Sequence, residues 1–412
     1  MNARSFIRQL GPGLLFAGAA IGVSHLVQST KAGALYGFDL LWVVIAIHLV
    51  KYPFFQFGPR YVAATGESLL AGYLKLGRWA LWLFLLFSVG TIFTILAAVT
   101  VVTAGIASYL FGLTLAPWLV SGLILLLCAG LLLSRSFQSL ERVMRVIILL
   151  LTISTLVAFV AALSQGYQPA TPQSFTWTPA GIGFLLALMG WMPSPLDLSV
   201  WMSIWNEAKN KALPERQNLR STLLDFNTGY WGTLIIAVVF LSLGALVMHG
   251  QGVALANSGA AFTGQLIQLY TQSIGPWIFW IIGLAALATM FSTTLTVLDA
   301  IPRVLQHTLR LLWPSLPGSP KHWRAGLTGV LITGALLLLG LWVDSMGTMV
   351  TIATILSFLT APFFAIVNFV LITRSHIPSA FRPSLGLQLW SVVGVIFFLG
   401  FSGWYIYVTW WL

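Results

Sequence analysis

Apolar residues run along this chain in stretches too long for the core of a water-soluble domain, separated by short polar or charged segments. Hydropathy along the sequence predicts eleven membrane spans, at 11–35, 39–62, 80–111, 116–134, 143–164, 180–205, 228–249, 275–300, 325–343, 346–373 and 386–411. A bilayer-crossing helix needs about 20 predominantly apolar residues, and the runs 81–110, 143–163 and 327–341 approach or exceed that length.

Two spans are interrupted. Gly22-Val23-Ser24-His25 in the first, and Gly190-Trp191-Met192-Pro193-Ser194-Pro195 in the sixth, place poor helix formers or residues without an amide hydrogen at mid-membrane depth. A freed backbone group in hydrocarbon costs several kcal/mol unless protein, water or an ion satisfies it, so paired breaks point to a binding site. Spans one and six lie five apart and run in opposite directions. That relation predicts an all-α integral membrane protein built as a five-plus-five inverted repeat with an eleventh helix appended. The expected organisation is one transmembrane domain over 1–412, with the first repeat at 1–165, the second at 166–375 and the additional helix at 376–412.

Composition agrees with that reading. The 412 residues are 58% hydrophobic and 7% charged, with a mean hydropathy of +0.93, where soluble proteins carry about 25% charged residues. A net charge of +11 would suit nucleic acid if it were clustered, but here the basic residues are scattered between apolar spans, so no nucleic-acid partner is expected. Their placement is topological. With the N-terminus in the cytoplasm, eighteen of the twenty Lys and Arg fall on cytoplasmic ends or loops, the exceptions being Lys31 and Lys51. The loops from Gln165 to Pro179 and from Gly250 to Gly275 carry neither residue. The expected location is the cell's inner (plasma) membrane, with Trp410-Trp411-Leu412 outside and the charged stretch from Asn206 to Asp225 forming a short cytoplasmic surface helix. Arg4 and Arg8 precede Gly11-Pro12-Gly13 without a small-residue cleavage site, so the first span is expected to be retained. The single cysteine, Cys128, excludes an intrachain disulfide and a cysteine metal cluster.

The breaks nominate the chemistry. Gly22, Val23, Ser24 and His25 from span one, with Met189, Met192, Pro193 and Ser194 from span six, are the expected substrate-facing residues. His25 is a candidate ligand, proton carrier or donor, and Met192 offers a soft thioether; the two form a candidate metal pair. Asp197, two residues past Pro195, is too costly to bury unpaired and is expected to face water. Lys51, with His48 one turn earlier, lies within span two; it either exchanges protons or pairs with a carboxylate such as Asp197. Ser292, Thr293 and Thr294 in span eight, with Asp299 further in, are hard oxygen donors suited to sodium-like or magnesium-like cations, although such hydroxyls commonly bond the preceding turn. The expected coupling residues are Lys51, His48, Asp197, Ser292 and Thr293.

Several of these segments resemble the NRAMP family of divalent metal transporters: Gly11-Pro12-Gly13, the stretch from Lys31 to Gly37 leading into Leu40-Leu41-Trp42-Val43, Met192-Pro193, the residues from Arg60 to Glu67, and Ser292-Thr293-Thr294. The resemblance implies a LeuT-type fold and import of manganese or iron, usually with protons. It also locates a departure. Where the family typically reads Asp-Pro-Gly-Asn, this chain reads Gly22, Val23, Ser24 and His25; Met192 is kept, and the histidine after Met-Pro becomes Ser194. Losing the aspartate removes charge that would offset dehydration of a dication. Two repairs follow: His25 with Met192 as a nitrogen and sulfur pair, or a sodium site of Gly22 and Val23 carbonyls with Ser292 and Thr293 hydroxyls that leaves the centre to another substrate.

The sequence therefore predicts a secondary transporter that moves a small ion or solute by alternating access with proton or sodium coupling, and a non-metal cargo ahead of a manganese- or iron-type metal bound at a modified His25 and Met192 site. No resident cofactor is expected, and the cation, whether a proton, sodium or a divalent metal, is cargo or coupling ion. With no P-loop, no ATP-hydrolysing subunit is called for; with no HExxH or GxSxG pattern, neither is an enzyme. A channel would be expected to show a selectivity loop. The topology is testable in a Cys128→Ser background: an impermeant maleimide applied to intact cells should label a cysteine placed at Ser258 and spare one at Glu215, and the reverse pattern would invert the assignment.

Overall fold

The computed structural model describes residues 11–133, 137–164, 174–213, 215–249, 256, 258–341 and 345–411, with side chains from 137 to 150 and of Trp411 outside that set. Arg4, Arg8, Arg135, Leu412, residues 165–173 of the loop 165–179, and residues 250–255 and 257 of the loop 250–275 lie outside the described residues.

Each predicted span corresponds to helix. Span one is α1, Pro12–Ala20, followed by a π-helical turn, Ser24–Ser29, and α2, Thr30–Tyr36. Span two is α3, Leu41–Thr65, and a short helix, α4, Leu69–Leu76, leads to span three, α5, Arg78–Phe111. Spans four and five are α6, Pro117–Leu133, and α7, Phe137–Ser164. Span six divides into α8, Pro179–Trp191, and α9, Leu198–Ala212. Span seven is α10, Leu219–Leu243, extended by a π-helical turn, Gly244–Met248; α11, Gly259–Ile274, precedes span eight, α12, Phe279–Leu312. Spans nine to eleven are α13, Pro320–Leu341, α14, Met346–Thr373, and α15, Leu385–Trp411. Among the described residues, seven helices are long and apolar enough to cross a membrane alone, and the bent pair of span one makes an eighth.

Four expectations change. The first break is a 46° bend at Ile21 and Gly22 rather than four unwound residues, because Val23 is already helical and Ser24 and His25 continue in the π turn. In span six, Gly190 and Trp191 remain helical, and the irregular segment runs over 192–197. The charged stretch 206–225 forms no separate surface helix: it completes α9 and begins α10, whose first turn is capped by the Asn218 side chain accepting from the Ser221 amide at 2.8 Å. Conversely, α11 arises where a loop was expected, and Phe262, Leu266, Ile267 and Tyr270 bury one of its faces. Lys31, one of the two topological exceptions, lies over the Phe262 ring at 5.5 Å.

The bundle has an inside and a rim. About 61% of the apolar window is buried in each of α3, α5 and the helices of spans seven and eight, against 17% in α13 and 22% in α15. The latter two therefore lie at the periphery, where their apolar side chains face outward, as lipid-facing helices do. At the centre, span one packs backbone to backbone on span seven. A Cβ added to Gly13 would sit 2.0 Å from the Asp225 carbonyl oxygen, and one added to Gly33 would sit 1.9 Å from that of Leu241. Small residues permit such approach, which is how membrane helices associate without a hydrophobic drive. Phe16 of α1 adds ring contacts to Phe55 of α3 at 5.1 Å and to Tyr230 of α10 at 5.8 Å. Gly33→Val is expected to destabilise the purified protein by about 1–3 kcal/mol or more, read as a lowered thermal unfolding midpoint in detergent, since the atoms in its way, the Leu241 carbonyl and the Ala245 amide nitrogen, are main chain; an unchanged midpoint would contradict this packing.

Candidate functional site

Breaking span six leaves the last carbonyls of α8 without intrahelical donors. The chain supplies one from span two. The Lys51 ammonium, buried to 1% exposure, donates to the carbonyl oxygens of Met189 at 2.7 Å, Gly190 at 2.8 Å and Ser194 at 2.9 Å. A cation is also what the negative end of a helix dipole favours. Lys51 thus caps α8 and pins the irregular segment to it, and its hydrogen bonds go to main chain rather than to Asp197, the partner the sequence suggested. One turn earlier, the His48 Nδ1–H donates to the Val44 carbonyl at 2.7 Å, while its buried Nε2 has no hydrogen-bond partner among the described residues.

At the bend of span one, Gly22 is needed for close approach. A Cβ there would lie 2.9 Å from Thr293 Oγ1 of α12. Its carbonyl accepts from the Leu26 amide at 2.9 Å, and the Thr293 hydroxyl donates to the Thr289 carbonyl at 3.1 Å. Of the anticipated sodium cage, the Gly22 carbonyl is thus already an acceptor within its own helix, while the Thr293 hydroxyl spends only its proton there. Ser24 joins the two breaks, its hydroxyl lying 3.2 Å from the Pro193 carbonyl oxygen and 2.6 Å from that of Ala20. His25 points elsewhere: Nε2 donates to the Thr233 carbonyl of α10 at 3.0 Å, and Nδ1 meets Ser24 Oγ at 2.7 Å.

Between the breaks lies a cavity with about 40 Å³ of room for the centres of water-sized molecules, enough for a few waters or a partly hydrated ion. Its wall combines Ala20, Val23 and Ser24 of span one with Trp191, Pro193, Ser194, Asp197 and Trp201 of span six, and Val99 and Thr293 close the sides. Asp197 supplies the one ionisable side chain in that wall, and it interacts electrostatically with Lys51. Of the predicted residues, Val23, Ser24, Pro193, Ser194, Asp197 and Thr293 meet here. Gly22, His25, His48, Lys51, Met189, Met192 and Ser292 do not line it. Met192 is fully buried, so the expected metal pair of His25 and Met192 is not presented to the cavity. Sequence inspection missed Trp191 and Trp201 as wall residues; only the position of Trp191 inside the break hinted at it.

A second polar centre holds the start of span one. Asp225 of α10 accepts from the Gly11 amide at 2.9 Å and the Gly13 amide at 3.1 Å, satisfying donors that every helix N-terminus leaves free. Lys209 of α9 lies 3.8 Å from the same carboxylate. One buried acid thereby joins spans one, six and seven at the end remote from α2.

A family model described as natural resistance-associated macrophage protein-like (Nramp) matches residues 13–408. The chain belongs to the Nramp family. An uncharacterized protein of Pasteurella multocida is 35% identical over 399 residues, covering 95% of this chain and 90% of that protein. An Nramp metal transporter of Populus trichocarpa is 32% identical over 84 residues, 19% of this chain and 15% of its own length. Among solved structures, the Eremococcus coleocola manganese transporter superposes with a TM-score of 0.66 at 14% identity over 98% of this chain and 87% of its own. MhsT in complex with L-phenylalanine gives 0.64 at 14% identity over 96% and 97%. These likenesses give the Nramp-family chain a LeuT-type fold, and it is a multi-pass membrane protein of a transporter family.

Asp225→Asn keeps one acceptor but loses the charge and one amide. It is expected to destabilise the protein by roughly 1.5–3 kcal/mol, measured by thermal unfolding in detergent, while Asp299→Asn, on a half-exposed pair with Arg303, should change the midpoint far less. Equal effects would deny Asp225 this role.

Proposed function

We propose that this protein is a secondary active transporter that carries a small hard cation, of the magnesium or manganese class, by alternating access around the bend of span one and the break of span six. The carboxylate of Asp197 carries the reading: it is the ionisable side chain that the cavity wall offers, and the wall's hydroxyls, those of Ser24, Ser194 and Thr293, are oxygen donors beside the two indoles. Oxygen donors suit magnesium and manganese, and magnesium in particular keeps several waters while binding through one or two carboxylates. The nearby Lys51 ammonium weakens that attraction, which fits a cargo that must leave as readily as it enters.

Proton coupling suits the break better than sodium coupling. The Gly22 carbonyl already accepts from two amides, those of His25 and Leu26, and Ser292 does not line the cavity, whereas Asp197 in its wall is a protonatable group. Membership of a family that includes metal transporters supports a metal cargo; burial of Met192 and the outward turn of His25 favour a hard ion over a soft one. The orientation proposed has the N-terminus in the cytoplasm, the C-terminus outside and the inner membrane as location.

A second reading rests on Trp191 and Trp201, which line the same wall as Asp197. Aromatic faces beside a carboxylate also suit a small organic ammonium. Both are tested by uptake into proteoliposomes under an imposed proton gradient. Magnesium or manganese uptake should saturate and fall at least about tenfold in Asp197→Asn, a loss of roughly 1.4 kcal/mol or more. Uptake of methylammonium without either metal would favour the second reading. Cadmium flux abolished by Met192→Ala would overturn the hard-cation proposal.

A further inference from the structure

The Lys51 site has the form of an ion-binding site rather than an ion pair. Three main-chain carbonyl oxygens, from Met189, Gly190 and Ser194, converge on one ammonium at 2.7–2.9 Å. Two belong to the last turn of α8 and the third to the irregular segment beyond, so no regular structure would satisfy them together. A buried ammonium offers three donors and takes three acceptors, which matches its hydrogen-bonding capacity completely. Carbonyls converging on a cation at a broken membrane helix are also how carriers hold inorganic ions.

We propose that Lys51 is a tethered resident cation: the carbonyls of Met189, Gly190 and Ser194 form a binding site for a small monovalent cation of the primary-ammonium class, and the chain fills it permanently from span two. Where a dissociable ion at such a place would come and go with each transport cycle, the tether keeps the break formed whether or not cargo is present. The side chain reaches the site from the middle of α3, whose buried face also holds His48 and Phe55. Cutting the tether while keeping the carbonyls should leave a vacancy that a free ammonium can enter.

The inference rests on the geometry of the break and not on the cargo reading, so its test is a stability measurement made without transport. The full chain is purified in detergent as wild type, Lys51→Ala and Lys51→Met, and thermal unfolding is followed while methylammonium chloride is titrated against choline chloride at equal ionic strength. Lys51→Ala should melt at least about 5 °C below wild type. Methylammonium should restore much of that loss in a saturable way, choline should not, and the wild type should respond equally to both salts. Lys51→Met, which fills the space without charge, should melt low and gain nothing from methylammonium. The proposal is overturned if Lys51→Met melts like wild type, or if methylammonium and choline act alike on Lys51→Ala. Should Lys51→Ala fail to accumulate, a wild-type-like midpoint for Lys51→Met still overturns it, and a low one upholds the need for the charge.

Discussion

Main-chain polarity inside a bilayer governs this molecule. Where span six stops being a helix, carbonyl oxygens face an environment that offers them no water, and each left unmet costs several kcal/mol. Lys51 meets three of them at once from a neighbouring span. The three hydrogen bonds between them offset both the cost of burying an ammonium and the cost of leaving the carbonyls unmet, which is why a lysine can occupy the interior of a membrane bundle without a carboxylate in hydrogen-bonding contact. The cavity exists because the break is held in this way: Trp191, Pro193, Ser194 and Asp197 reach its wall from the segment that Lys51 fixes.

Span one is handled differently. It bends by 46° but loses little of its own hydrogen bonding, since the π turn Ser24–Ser29 carries the helix on. Its position comes from span seven, which grips it along its length. Asp225 holds the N-terminal amides, Thr233 accepts from His25 near the bend, Ala237 accepts from Ser29, and Gly244 lets α2 close in at the far end. The alternating access proposed here would need segments that move against a frame, and the contacts divide in that way: span seven and Lys51 hold the two broken spans, while Ser24 and Pro193 link those spans across the cavity.

Much of this architecture was legible in the sequence, because hydropathy and the distribution of Lys and Arg report depth in the membrane. Gly22 and the two prolines after Met192 located both interruptions to within a few residues. What hydropathy does not report is azimuth. His25 and Met192 lie at cavity depth, yet one ring turns toward α10 and the other side chain is sealed inside. Asp197 and Ser194 reach the cavity from positions no different in hydropathy. The partners of Lys51 were hidden for a related reason: they are backbone carbonyls, which every residue possesses and no sequence motif marks. The helix α11 escaped notice because its mixed polarity, with Gln265, Gln268 and Gln272 among apolar residues, resembles that of a loop.

The central claim is that Lys51 caps the broken helix of span six at mid-membrane depth. A cryo-electron microscopy map of the full chain in a lipid nanodisc, at a resolution that shows lysine side chains, tests it most directly. The account predicts density from Lys51 running to the carbonyls of Met189 and Gly190, with α8 and α9 separated by an irregular segment. A continuous helix through 190–198, or a Lys51 side chain directed away from that segment, would contradict it.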